Sequence, residues 1–404
     1  MINLLVPQRN QRIKNRDGAP IHKGVRPLIG QRALSVESEA RGGPQEEPVN
    51  SVILDAPAPD GNNISVVVQG PLGTGNCVEV GYYVAHWRAM LPRAQIILAI
   101  SDNHFEIGTS GQLLPPTRDN GNTAVTVSIS AINAACDIIV IAPAAVALPP
   151  LKFDSKANNL NFQISAAKAG LAQATRKYCL RIRNDIILYS NGFLEHYREF
   201  VRLPRGAFSF LEQRILICDT YTLNPYTIER CPYHYSDWFH FGLISDVRVL
   251  WQSGPMPFLD AIFHEFHRHR PHSSRQERQF RARLACEQYL TMGWLLHYCP
   301  EARLDYLNDL EQRDRSMAVL RDNFIIADRK VCGLRFVKYA DVRSGLRHRL
   351  LCLDHADWRV LASDPSRGRF AHLFVWRVAV AFVAQLAAGL GLLRSARWVM
   401  KLFS

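Results

Sequence analysis

The chain has no Cys-x-x-Cys pair, although it carries nine cysteines. An odd, unpaired set argues against a disulfide framework and fits free thiols in a reducing compartment. There is no zinc-finger spacing and no RNA-binding signature, and the basic residues are spread along the sequence. The formal charge of +12 therefore points away from nucleic acid and towards an anionic membrane surface or phosphorylated small molecules. The N-terminus, MINLLVPQRNQRIKNRDG, shows no apolar core of signal-peptide length, and the expected location is the cytoplasm, peripheral to the inner membrane. The HEFH stretch at 264–267 is not the HExxH of a metalloprotease helix, and no cysteine is near enough to complete a zinc site. With His269 and His272 it reads as a solvated basic loop that can still contact an anionic acceptor. No internal repeat is present.

What is there is ample for a core: 404 residues, 48% of them hydrophobic, enough for one large domain or two smaller ones. Residues 1–60, rich in Arg, Gln, Gly, Pro and Glu, read as a flexible arm. Order begins at ISVVVQG (64–70), a β-branched run of the kind buried on both faces of a parallel sheet. A helix follows, with Asn76 and Glu79 spaced as a capping box and Val80, Val84, Trp87 and Leu91 on one face. AQIILAISD ends a second strand at Asp102, CDIIVIAP is a further strand, and AVTVSI between them reads as a short additional one. NNLNFQISAAKAGLAQATRKY is a helix with an apolar stripe from Leu160 to Tyr178, capped by Asn158 or Asn159, and it leads into the strand RKYCLRIRNDIIL. Strands alternating with helices predict an α/β fold with a mostly parallel central sheet. The later part is mixed: RILICDTYTL as a strand, FHFGLISDVRVLW as a strand entering a helix capped by Ser245, and LACEQYLTMGWLLHY as a helix apolar almost all round.

In open α/β sheets, ligands bind outside the carboxyl ends of the strands. Three strands here end in polar groups: Gln69 with Gly70, Asp102, and the trio Arg183-Asn184-Asp185. Each alone is an ordinary strand-end turn; together they predict a shared crevice. A carboxylate at such a rim holds Mg²⁺ or Mn²⁺ against a diphosphate, and Asp185 meets the lower limit for magnesium. Arg183 offers another way to offset diphosphate charge, by a bidentate guanidinium grip.

These segments resemble the WavE lipopolysaccharide-synthesis family. The resemblance is carried by ISVVVQGP, AQIILAIS, NNLNFQISAAKAGLAQATRKYCLRIRNDIIL and NPYTIERCPYHYSDWFHFGL, with EQYL and DNFIIADR compatible, over about residues 62–360. It implies a GT-A-like nucleotide-sugar transferase fold, with a nucleotide-binding half at 61–190, an acceptor half at 191–362 and a helical C-terminal part. It implies that Gln69, Gly70 and Pro71 hold the nucleoside, that Asp102 contacts base or ribose, and that Asn159 and Gln163 line the sugar-nucleotide pocket. The family's metal motif, usually Asp-x-Asp, here reads Arg183-Asn184-Asp185; its first acid is missing, leaving Asp185 to ligate a divalent cation. The implied partners are a nucleotide-sugar donor and a lipopolysaccharide-core, glycolipid or oligosaccharide acceptor.

Inverting sugar transfer needs a carboxylate base. Glu287, flanked by Leu284 and Trp294 on a helix, sits where burial raises a carboxyl pKa; an ion pair with Arg281 or Arg283 is the competing reading. Asp237 is the second candidate, with His234, Ser236 and Trp238 lining an acceptor pocket, against the alternative of a helix cap and a core tryptophan. The tail at 368–404 is apolar but broken by Arg377 and Gln385, and its clean part, Val378 to Leu393, falls short of a span. It reads as a helix in the inner-membrane interface, with a spanning anchor and a buried core helix as alternatives. Two rival functions are carried forward: an NAD(P)-binding Rossmann oxidoreductase, from the glycines of GPLGTG, and a non-catalytic membrane-peripheral binding protein.

Overall fold

A computed structural model of the chain describes residues 59–101, 104–114, 123–153, 157–336 and 346–389. β1 (Ile64–Gly70) is buried from Ile64 to Gln69, as an unbroken apolar run requires of a strand covered on both faces. α1 (Thr74–Met90) buries Val80, Val84 and Trp87. Gly73 is its N-cap, so Asn76 stands inside the first turn rather than at the cap. β2 (Gln95–Ile100) ends before Asp102, which lies outside the described residues.

A small hairpin, β3 (Glu106–Ile107) with β4 (Leu113–Leu114), precedes α2 (Thr123–Ala135). The expected strand AVTVSI is the opening of this helix. Val125, Ile129 and Ile132 recur at helical spacing and are buried together, which overrides the local β-branched composition. β5 (Ile138–Ile141) leads to α3 (Leu160–Gln173), and β6 (Tyr178–Arg183) follows. Asn158 rather than Asn159 caps α3: its Oδ1 accepts from the Leu160 N–H at 3.0 Å, and Asn159 makes no cap bond.

The remaining elements are β7 (Ile186–Leu188), α4 (Gly192–Phe200), β8 (Ile215–Cys218), β9 (Phe239–Leu243), α5 (Ile244–Leu250), α6 (Phe258–Ala261), α7 (Phe263–Phe266), α8 (Cys286–Leu295), α9 (Arg313–Asn323), β10 (Phe324–Ala327), β11 (Leu334–Phe336), α10 (Leu346–Leu351), α11 (His355–Ala362) and α12 (Val375–Gly389). Ser245 does not cap α5: the N-cap is Leu243, without a side-chain bond.

Seven strands form one sheet in the order β10-β8-β9-β6-β1-β2-β5. It is parallel except for β9, which runs against both β6 and β8. β7 and β11 form a separate antiparallel pair. The chain builds outward from β1 to β2 and β5, then crosses back to lay β6 on the other side of β1. That reversal is the topological switch point, and ligands of open α/β sheets bind outside the strand ends there. Gln69 pairs with Arg183 across it. In a parallel pair, registered side chains share a face. Gln69, Arg181 and Arg183 therefore lie on one side of the sheet, joined by His240, which is opposite Arg181.

Among its described residues, Arg377 of the first turn anchors the C-terminal helix. Arg377 is buried, pairs with Asp357 at 2.7 Å and donates to the Cys352 carbonyl at 2.7 Å. Around it Val375, Trp376, Phe382, Val383 and Leu386 are exposed, so the described part of this helix is not a core element. No helix among the described residues is long and apolar enough to cross a membrane.

Candidate functional site

The arginines inside β6 have separate tasks. Arg181 is fully buried, and its Nη1 donates to the Asp237 carbonyl. Its guanidinium lies 4.0 Å from the Trp251 ring centroid. Burial pulls its pKa down to about 9, with the neighbouring Asp237 carboxylate opposing the shift, so it stays cationic at neutral pH. His240, across the register, is neutral: burial and then the Arg181 charge hold it at about 3. Its Nδ1 accepts from the Trp251 indole at 3.0 Å, and its Nε2 donates to the Ser236 carbonyl at 3.0 Å. Arg181 and His240 thus fix the backbone of Ser236 and Asp237 from beneath.

The segment they fix delivers two side chains, His234 and Asp237, to Glu287 at the start of α8. His234 Nε2 lies 3.3 Å from Glu287 Oε2. The other ring nitrogen, Nδ1, is 2.9 Å from the Tyr221 carbonyl, which only accepts, so Nδ1 carries a proton. Nε2 is thus the ring nitrogen that faces the carboxylate. Burial raises the Glu287 pKa; His234 opposes that shift and Asp237 adds to it. The backbone on either side of His234 is unusual. Tyr221, whose carbonyl it meets, has φ 63°, and its neighbour Tyr233 has φ 60°. Left-handed non-glycine residues are sparsely populated and gather at functional sites. The alternative pairing of Glu287 does not form: Arg281 engages Glu265, and Arg283 lies by Asp260 and Asp305.

Arg183 belongs to the same cluster, because its charge also acts on Glu287. It grips Asp185 in a two-point pair, Nε to Oδ1 at 2.9 Å and Nη2 to Oδ2 at 2.6 Å. Its guanidinium lies 4.7 Å from the Trp238 ring centroid. Both oxygens of Asp185, the residue expected to ligate a divalent cation, are thus spoken for by an arginine. Among the described residues no group of three His, Cys, Asp or Glu side chains is arranged to hold a metal. In this arrangement Asp185 is engaged by Arg183 rather than open to a cation.

At the end of β1, Asn184 turns back over the strand. Its backbone N–H donates to the Gln69 carbonyl at 2.8 Å and its side-chain amide to the Pro71 carbonyl at 2.7 Å. Gly70, at φ 151°, gives the amide its room: a Cβ there would lie 2.1 Å from Asn184 Oδ1. This glycine accommodates a side chain of the protein. Gln69 and Gln163 each bury an Oε1 with no hydrogen-bond partner, an arrangement rare unless something else supplies a donor. Asn159 is exposed at the α3 N-terminus. Its neighbours do the holding: Asn161 binds both backbone groups of Met256, and Asn158 accepts from the Cys286 thiol beside Glu287 at 3.5 Å.

Two expected acceptor residues face inward. Ser236 is fully buried with its hydroxyl 3.1 Å from Cys218 Sγ. Trp238 is buried against Tyr221, Phe336 and Arg183. Both serve the scaffold, which matches the core-tryptophan alternative. Arg181, Tyr221, Asn158 and Asn161 were missed as site residues. A cation at an inward position of an apolar strand was a signal for Arg181; nothing local marked Tyr221.

The chain matches no curated protein. The family model for WavE lipopolysaccharide synthesis matches residues 143–374, which carry β6, Arg183–Asp185, His234–Trp238 and Glu287. That match spans more than half of the sequence, and this protein belongs to the WavE lipopolysaccharide-synthesis family.

Proposed function

We propose that the protein is a glycosyltransferase of lipopolysaccharide synthesis, moving a sugar from a nucleotide-sugar donor to a glycolipid or oligosaccharide acceptor with inversion. One observation carries the reading: Glu287, His234, Asp237 and Arg183 converge beside the switch point of a mostly parallel sheet. The acceptor hydroxyl oxygen attacks the anomeric carbon, the bond to the diphosphate breaks with its electrons, and the hydroxyl proton passes to Glu287. His234 holds the carboxylate in position. Gln69 and Gln163 offer buried acceptors to donor hydroxyl or base N–H groups. The exposed apolar surface of α12 seats the enzyme on an anionic membrane, where a lipid-linked acceptor resides. The chain's positive charge and its exposed Arg369 support that placement.

The test is a screen of nucleotide sugars for transfer to, or hydrolysis in the presence of, lipopolysaccharide-core oligosaccharide. Glu287→Gln preserves the fold, because its amide donates to the His234 lone pair. It is expected to lower kcat by roughly 10²–10⁴-fold, the usual worth of a general base. Full activity in that variant, or no turnover of any sugar nucleotide by the wild type, sinks the assignment.

A further inference from the structure

The mismatch between Asp185 and a metal ligand has a chemical consequence, which rests on the transferase reading. We propose that Arg183, clamped by Asp185 and Trp238, stands in the place of the divalent cation and binds the donor diphosphate directly, so that donor binding needs no metal.

Magnesium demands near-octahedral oxygen ligands at about 2.0–2.1 Å and enters protein sites through one or two carboxylates plus phosphate oxygens. At the end of β6 the first of two possible carboxylates is an arginine, and the second is its counter-ion. To admit a cation, Asp185 would have to give up two charge-assisted hydrogen bonds of 2.9 and 2.6 Å and leave a guanidinium facing the cation. A guanidinium, in contrast, already has the planar fork that matches phosphate oxygens, and it cannot be deprotonated at working pH. The clamp fixes this one in orientation: Asp185 fastens the Nε edge, and the Trp238 ring supports it at 4.7 Å. Its place is also right. Arg183 is in register with Gln69 at the switch point, where strand ends meet ligands. Asp185 is therefore a positioning residue for Arg183.

The experiment is calorimetric titration of the full chain with UDP, CDP, GDP and ADP, in excess EDTA and again with Mg²⁺ or Mn²⁺. The nucleotide that binds is expected to do so with the same Kd in both conditions. Arg183→Lys should weaken it roughly ten- to a hundredfold, the worth of lost charge-assisted hydrogen bonds, while the corresponding nucleoside, which has no phosphate, is unaffected. Arg183→Lys keeps the charge and a bond to Asp185, so the fold is retained. Binding that disappears in EDTA and returns with Mn²⁺ overturns this proposal and leaves the transferase reading intact. Failure of all four nucleotides under both conditions overturns the two together.

Discussion

Replacing Gly70 by alanine tests whether the β1–β6 switch point is built around the Asn184 side chain. Two costs follow from the geometry. At φ 151° an L side chain is strained, which costs about 1–3 kcal/mol. The new methyl would also lie 2.1 Å from Asn184 Oδ1 and 2.5 Å from Cγ, so the amide must leave and give up its 2.7 Å bond to the Pro71 carbonyl. Losing a buried bond and leaving a partner unsatisfied adds about 1–3 kcal/mol. The sum is roughly 2–6 kcal/mol, read as a lower midpoint in urea unfolding with an unchanged slope. Asn184→Ala alone loses the bond but no backbone strain. In the double variant the φ strain remains but the lost bond is counted once, so the two changes should couple by about 1–3 kcal/mol. A wild-type midpoint for Gly70→Ala, or strict additivity of the pair, would refute the account.

The histidines set both limbs of the pH–stability curve. Burial holds His240 at about 3 and, with His355 beside it, His196 at about 4. Their folded values lie below the unfolded one of about 6.5. The unfolded chain therefore takes up protons first, and stability falls as pH drops from about 6.5 towards 4. His348 is the opposite case: burial lowers it, but bonds to Asp219 and Cys352 prevail and raise it to about 10. Its contribution is complete below about 6.5 and is lost as pH climbs through 10. Urea midpoints across pH should show both limbs, and His348→Gln should flatten the alkaline one. For the C-terminal helix, Trp376→Glu and Phe382→Glu should each weaken co-sedimentation with phosphatidylglycerol vesicles roughly tenfold or more, from about 1.5–3 kcal/mol of aromatic burial. Both residues are exposed, so the unfolding midpoint should stay where it is; undiminished vesicle binding would remove the membrane from the functional reading.

Much of the architecture was readable because it is written at short range. The strand ISVVVQG and the stripes of α1 and α3 repeat every two or every three to four residues, and burial follows such periods directly. α2 shows the limit: its opening composition is β-branched, and only the burial of Val125, Ile129 and Ile132 against the rest of the molecule settles it as helix. Glu287 and Asp237 were legible as candidates by residue type and surroundings, and Arg183–Asp185 by their place after an apolar run.

The partners were not legible, because pairing between segments far apart leaves no local trace. Glu287 had arginines close by in sequence; in the fold those turn to Glu265, Asp260 and Asp305, and His234 meets the carboxylate instead. Asp185 was legible as a candidate metal ligand, but its two-point pairing with Arg183 was not. Trp238 and Ser236 looked like a binding surface until the sheet buried them. The sequence by itself determined which segments become strands and helices and which residue types stand at their ends. Only tertiary structure decided which charges are neutralised by which, because a pKa and a hydrogen bond depend on what packing brings within a few ångströms.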